Sequence, residues 1–143
     1  MTEEFKILLD GIEIADEDAE GFDSLEMYQD FTERFLALSS DELEIEITNA
    51  EEGILTLLID DNKLDLTYNT DDEWFDIEYI SQLNKYLKDT NLTKKRFCFV
   101  EPYGVGDADQ GVKIAFIDEQ LFITLIEKSY ANKNDNATST HFS

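Results

Sequence analysis

The chain has 143 residues, 42% of them hydrophobic and 12% aromatic, which suffices for one packed domain and is too apolar for a disordered chain. Its 34 acidic and 11 basic residues leave a formal charge of −23, all of it in residues 1–80, where 26 acids face 3 bases, while residues 81–143 hold 8 of each. That balance disfavours nucleic acid and anionic membrane as direct partners, and a single cysteine, Cys98, excludes an internal disulfide.

In chain order, the apolar residues at 5–9 followed by Gly11, Ile12, Glu13 and Ile14 predict an opening strand, or a hairpin turning near Asp10 and Gly11. Acids dominate from Asp16 to Asp23. Ser24 is a good cap for a helix reaching about Ser39, with the stripe Leu25, Tyr28, Phe31, Phe35 and Leu38 facing inward and Glu26, Asp30 and Glu33 facing out. Glu42, Leu43, Glu44, Ile45, Glu46 and Ile47 alternate with a period of two, which puts three carboxylates on one face of a strand. Residues 54–59 suit a central strand, and residues 60–63 turn the chain into Leu64, Leu66 and Tyr68; together these predict a three-stranded antiparallel meander.

Thr70, Asp71, Asp72 and Glu73 form a capping-box pattern, which predicts a helix starting there with Trp74 in its first turn. Its stripe Ile77, Ile80, Leu83 and Leu87 runs to about Lys88, with Asn91 and Thr93 as the stop. Residues 96–100 and 112–117 predict strands separated by a loop containing Gly104, Gly106 and Gly111, and Cys98, flanked by Phe97 and Phe99, is a small core residue of the first. Asp118 can cap a last helix; Leu121, Ile123 and Leu125 also alternate as in a strand, and helix is the preferred assignment. Residues 131–143 predict a disordered tail carrying the lone His141. The expected architecture is one α+β domain over 1–130: about five to six mainly antiparallel strands with two to three packing helices, in a single pair of layers.

The side chains that carry chemistry are sparse. Nucleophilic catalysis needs a base beside the nucleophile, and one histidine next to the C-terminus does not provide it; one Cys and one His do not make a zinc site. Asp16, Asp18, Glu20 and Gly21 match the first positions of a calcium loop, but Met27 stands where the bidentate carboxylate belongs, so an acidic, solvated loop is the better interpretation. Asp107, Asp109 and Gly111 fit that pattern no better. No enzyme activity, cofactor or metal is expected. No apolar run approaches the ~18 residues that span a bilayer, and the N-terminal residues lack a signal peptide's basic start, so a cytoplasmic location is expected.

A charge of −23 exceeds by far the magnitude of roughly 2 to 8 that solubility requires of a small domain. A one-sided acidic surface speeds encounter with a cation, so the expected partner is a basic protein, with nucleases, whose grooves bind phosphates, the leading type. The expected contacts are Glu42, Glu44 and Glu46 on the strand, Asp71, Asp72, Glu73 and Trp74 at the helix cap, and Glu26, Asp30 and Glu33 on the helix face. In size, acidity and mixed layout, and in the stretches Leu83, Asn84, Lys85, then Arg96, Phe97, then Asp118, Glu119, Gln120, Leu121, the chain resembles the cytoplasmic immunity proteins of bacterial toxin systems such as contact-dependent inhibition. That resemblance implies an antagonist of a cognate toxin; such families have unrelated folds, so it assigns no residue a role. Two alternatives are a nucleic-acid mimic directed at a DNA-binding or restriction protein, and a calcium- or ligand-binding regulatory module.

Overall fold

The computed structural model describes residues 1–71, 73–106, 111–136 and 142. Among them are six strands in two antiparallel three-stranded sheets and four α-helices. The first sheet has the order β1 (Ala15–Asp18), β6 (Gly111–Ile117), β5 (Arg96–Phe99); the second is the meander β2 (Ile45–Glu51), β3 (Ile54–Ile59), β4 (Asn62–Thr67). Helices α2 (Leu25–Leu36), extended by a 3-10 turn at Ala37–Ser39, and α3 (Glu78–Thr90) share one core with the meander.

Strands β5 and β6 of the first sheet are buried on both faces, so the single pair of layers expected from the sequence is corrected. Phe97, Val112, Ile114 and Phe116 point into the large core with α2, α3 and the meander. Cys98, Val100, Ala115 and Ile117 point the other way, into a smaller core closed by α1 (Glu3–Leu8) and α4 (Glu119–Glu127). A strand with a core on each side carries apolar residues at successive positions, which is the pattern of residues 112–117. Burial pushes the Cys98 thiol far above its ordinary pKa.

Three further expectations change. The opening segment is a helix: Thr2 accepts from the Phe5 N–H at 3.2 Å, Glu3 and Glu4 occupy the first turn, and Phe5 and Leu9, four apart, bury against the smaller core. Alternation of Phe5, Ile7 and Leu9 is misleading there, since Ile7 is 69% exposed. Helix α3 begins at Glu78, not at the Thr70 box; Asp76 bonds the Asn69 N–H with one carboxylate oxygen (3.1 Å) and the Glu78 N–H with the other (3.1 Å), which ties Asn69 to the start of the helix. The capping box fails because residues 73–75 are drawn into an antiparallel bridge with residues 19–22, which takes the Glu73 carbonyl and the Phe75 N–H that a helix from Thr70 would bond along its own axis. Residues 131–136, expected as tail, fold back: the buried Asn136 amide bonds the backbone N–H and C=O of Phe99 at 2.9 and 3.2 Å. His141 and the rest of that tail, except Phe142, lie outside the described residues, as do Asp72, Asp107 and Asp109.

Other expectations are met. Ser24 caps α2 through the Met27 N–H, and Tyr28, Phe31 and Phe35 are buried. The meander turns through Asp60 and Asp61, both at positive φ, the geometry that matches strand twist in a two-residue hairpin. Asn91 ends α3 in the left-handed conformation. Asp118 caps α4, accepting from the Leu121 N–H at 2.9 Å.

Candidate functional site: an acidic surface around Trp74

Two acidic segments far apart in sequence are joined edge to edge. After β1 the chain bends at Gly21, whose φ of +98° suits glycine, and the Gly21 and Phe22 N–H groups both donate to the Glu73 carbonyl at 2.8 Å. The Phe75 N–H returns a bond to the Ala19 carbonyl at 3.0 Å, making an isolated antiparallel bridge between Glu20 and Trp74. Phe22 and Phe75 supply the reason. Both are buried, their rings meet edge-on at 4.9 Å, and Phe22 also packs against Tyr28 and Phe31. Pulling these two rings inward turns their polar neighbours outward.

Trp74 is therefore 45% exposed, and Ile77, three residues on, is 46% exposed. Around them Asp18, Glu20, Asp23, Asp71, Glu73 and Glu78 are all exposed. The nearby cations stand at one margin: Arg34 pairs with Glu17 at 2.6 Å and Asp30 at 3.6 Å, and Lys113 lies 3.8 Å from Asp16. Asp18, Glu20, Asp23, Glu26 and Asp71 form no ion pair among the described residues. The surface continues onto α2, where Glu26, Asp30 and Glu33 are exposed at i, i+4 and i+7, one face of a helix about 18 Å long. Tyr68 senses the far margin: burial first, then the charges of Glu52 and Glu26, push its phenol above the ordinary value.

The strand trio behaves differently. Glu42, Glu44 and Glu46 are exposed and alternate with the inward Leu43, Ile45 and Ile47, although regular pairing starts only at Ile45. Glu42 is tied down: its carboxylate lies 2.8 Å from Lys95 Nζ and accepts from the Thr93 hydroxyl at 2.9 Å, and the Lys95 bond holds its pKa below the ordinary carboxylate value. Glu44 and Glu46 form no ion pair among the described residues. The structure thus brings Asp71, Glu73 and Trp74 together with α2, and sets the strand trio at the far end of that helix, beside its last turn.

No known protein family, curated protein or solved structure matches this chain. The assignment of a role therefore rests on the chain's own geometry. Among the described residues no three His, Cys, Asp or Glu side chains gather as a metal site, and the segment that resembles a calcium loop is half strand, with Asp16 opposite Lys113 in the β1–β6 register. No helix among those residues is long and apolar enough to cross a membrane.

Sequence reasoning did not assign Asp18, Glu20, Asp23 and Ile77 to this surface. The signal was present in the Asp16–Asp23 run, but its pairing with residues 73–75 is a long-range bridge between irregular segments, which has no periodicity to betray it.

Proposed function

We propose that the chain binds and neutralises a basic protein through the surface centred on Trp74, as an immunity or antitoxin protein acting in the cytoplasm against a cognate toxin, with a nuclease the best-fitting type. The observation that carries this is the set of five carboxylates without ion pairs among the described residues, Asp18, Glu20, Asp23, Glu26 and Asp71, beside an exposed tryptophan. Carboxylates that no internal cation neutralises leave their field in solvent, where it accelerates association with a cationic groove; surface pairs would have cancelled it. An exposed Trp supplies what charge does not, a large rigid apolar contact that slows dissociation. Seated in a nuclease groove, the carboxylates take the places of substrate phosphates and block access without reaction.

The test is protection. Where a basic nuclease domain is encoded beside this gene, cells expressing it should grow when the chain is co-expressed, and lose that protection with Glu20→Lys combined with Asp71→Lys. Unchanged killing in the presence of folded wild-type protein would overturn the assignment.

A further inference from the structure

Each sheet has two edges, and three of the four are occupied. On β5, Asn84 bonds both backbone groups of Phe97 at 2.9 Å and Asn136 bonds those of Phe99. On β4, Gln82 accepts from the Thr67 N–H at 2.9 Å and donates to its carbonyl at 2.7 Å. On β1, Arg34 donates to the Asp16 carbonyl at 2.8 Å. Side-chain amides and guanidinium groups here stand in for a neighbouring strand, which is how an edge is kept from pairing with another chain.

The edge of β2 has no such cover among the described residues. The Asp60 N–H bonds the Glu44 carbonyl at 2.9 Å, so by antiparallel alternation Glu44 and Glu46 direct their backbone groups at β3, and Ile45 and Ile47 direct theirs away from the sheet. A groove of about 300 Å³ runs beside these residues, floored by Leu36, Leu43, Ile45 and Ile47 and rimmed by Glu33 from α2 and Glu46 from β2. No lysine or arginine lines it. A bulge after Ile47 ends the regular register and confines pairing to the stretch beside the groove.

We infer that β2 takes up an extended, basic segment of the partner protein as a fourth strand of the meander, through the open backbone groups of Ile45 and Ile47, with apolar side chains in the groove and Lys or Arg beside Glu33 and Glu46. The occupant follows from charge complementarity. A second copy of this chain would set Glu44 and Glu46 against their own counterparts, with a charge of −23 on each molecule. The inference rests on the basic-partner assignment and adds where and how the backbone is engaged.

Three acetylated, amidated octapeptides serve as probes: alternating lysine and valine, the same peptide with its central valine replaced by proline, and alternating glutamate and valine. Amide exchange and chemical shifts are recorded by NMR at low ionic strength. The lysine–valine peptide should slow exchange at Ile45 and Ile47 by about tenfold or more and shift residues 33–37 and 43–47, whereas the proline and glutamate peptides should not. Glu33→Lys with Glu46→Lys, both exposed sites, should weaken that binding about tenfold while the chain stays folded. If the lysine–valine and proline peptides perturb the surface near Trp74 alike and leave Ile45 and Ile47 unprotected, strand addition is wrong and the basic-partner assignment stands. If no cationic peptide binds, both fall. If protection at Ile45 and Ile47 rises with protein concentration alone, the occupant is a second copy and the inference is overturned.

Discussion

The surface around Trp74 and the region around Glu42 are both rich in carboxylates in the sequence, yet they differ in what faces them. Near Trp74, residues 19–22 lie against residues 73–75, parts of two acidic segments joined by backbone bonds, and the cations Arg34 and Lys113 reach only the margin. Glu42 lies against the segment at residues 93–95, in the half of the chain where bases balance acids, and Lys95 and Thr93 take up its carboxylate. Net charge is therefore a poor guide to where a cation docks. What decides it is whether the fold delivers a base to each acid, and here it leaves one group of acids unmet beside an exposed indole.

The strongest way to break that contrast is to remove the anchor that holds one side of it together. Phe22→Ala deletes a fully buried ring that touches Tyr28, Phe31 and Phe75, and should cost about 3–5 kcal/mol in urea unfolding. It should also free residues 19–22 from residues 73–75, seen as faster amide exchange at Gly21, Phe22 and Phe75, while the Glu42–Lys95 region is unchanged. Trp74→Ala separates binding from folding. With about half of its indole in water, the change should cost on the order of 1 kcal/mol of stability, far less than Phe22→Ala. Against the toxin domain, measured by surface-immobilised kinetics, it should cost about 2 kcal/mol, mainly as faster dissociation.

Which parts of this were legible in the sequence follows from the range of the interactions involved. The meander, α2 and the caps at Ser24, Asn91 and Asp118 are local, set by alternation, a helical stripe or one side chain, and they are found where expected. The capping box at Thr70 is equally local and fails because a long-range bridge from residues 19–22 takes the backbone groups of Glu73 and Phe75. For residues 5–9 the spacing permits strand or helix, and the choice is made by what Phe5 and Leu9 meet, a core closed by α4 and Tyr130 from the other end of the chain. The candidate site divides the same way. Exposure of Glu42, Glu44 and Glu46 is a property of alternation and was legible; the ion pair that sets Glu42 apart comes from a residue 53 positions later, and no local pattern carries it.

A smaller effect sharpens the contrast electrostatically. Glu20→Lys with Asp71→Lys should slow association with the toxin domain about tenfold at low ionic strength, and the gap should close towards 0.5 M salt, where screening acts within about 4 Å. Dissociation should change far less than in Trp74→Ala. Glu42→Gln in the same measurement should leave association within about twofold of wild type, because Lys95 already offsets that charge. Equal slowing by Glu42→Gln would mean that the docking field extends over the whole acidic half.

The smallest expected effect concerns Glu42 and stability. Because the bond to Lys95 holds the folded carboxyl below its ordinary value near 4.5, the folded protein releases that proton more readily than the unfolded chain does. The contribution is complete at neutral pH and fades as the pH falls below 4.5 and through the depressed folded value. With 37% of the Glu42 side chain in water, Glu42→Gln should cost less than about 1 kcal/mol at pH 7, less still at high salt, and nothing once wild type is protonated too. Chemical unfolding of both proteins across that range tests the cause as well as the size. The Thr93 hydroxyl can bond a carboxylate, a neutral carboxyl or an amide alike and so cancels from the comparison; a gap that closes in acid assigns the difference to Lys95, the base that distinguishes this end of the molecule from the Trp74 surface, and a gap that persists in acid would refute that assignment.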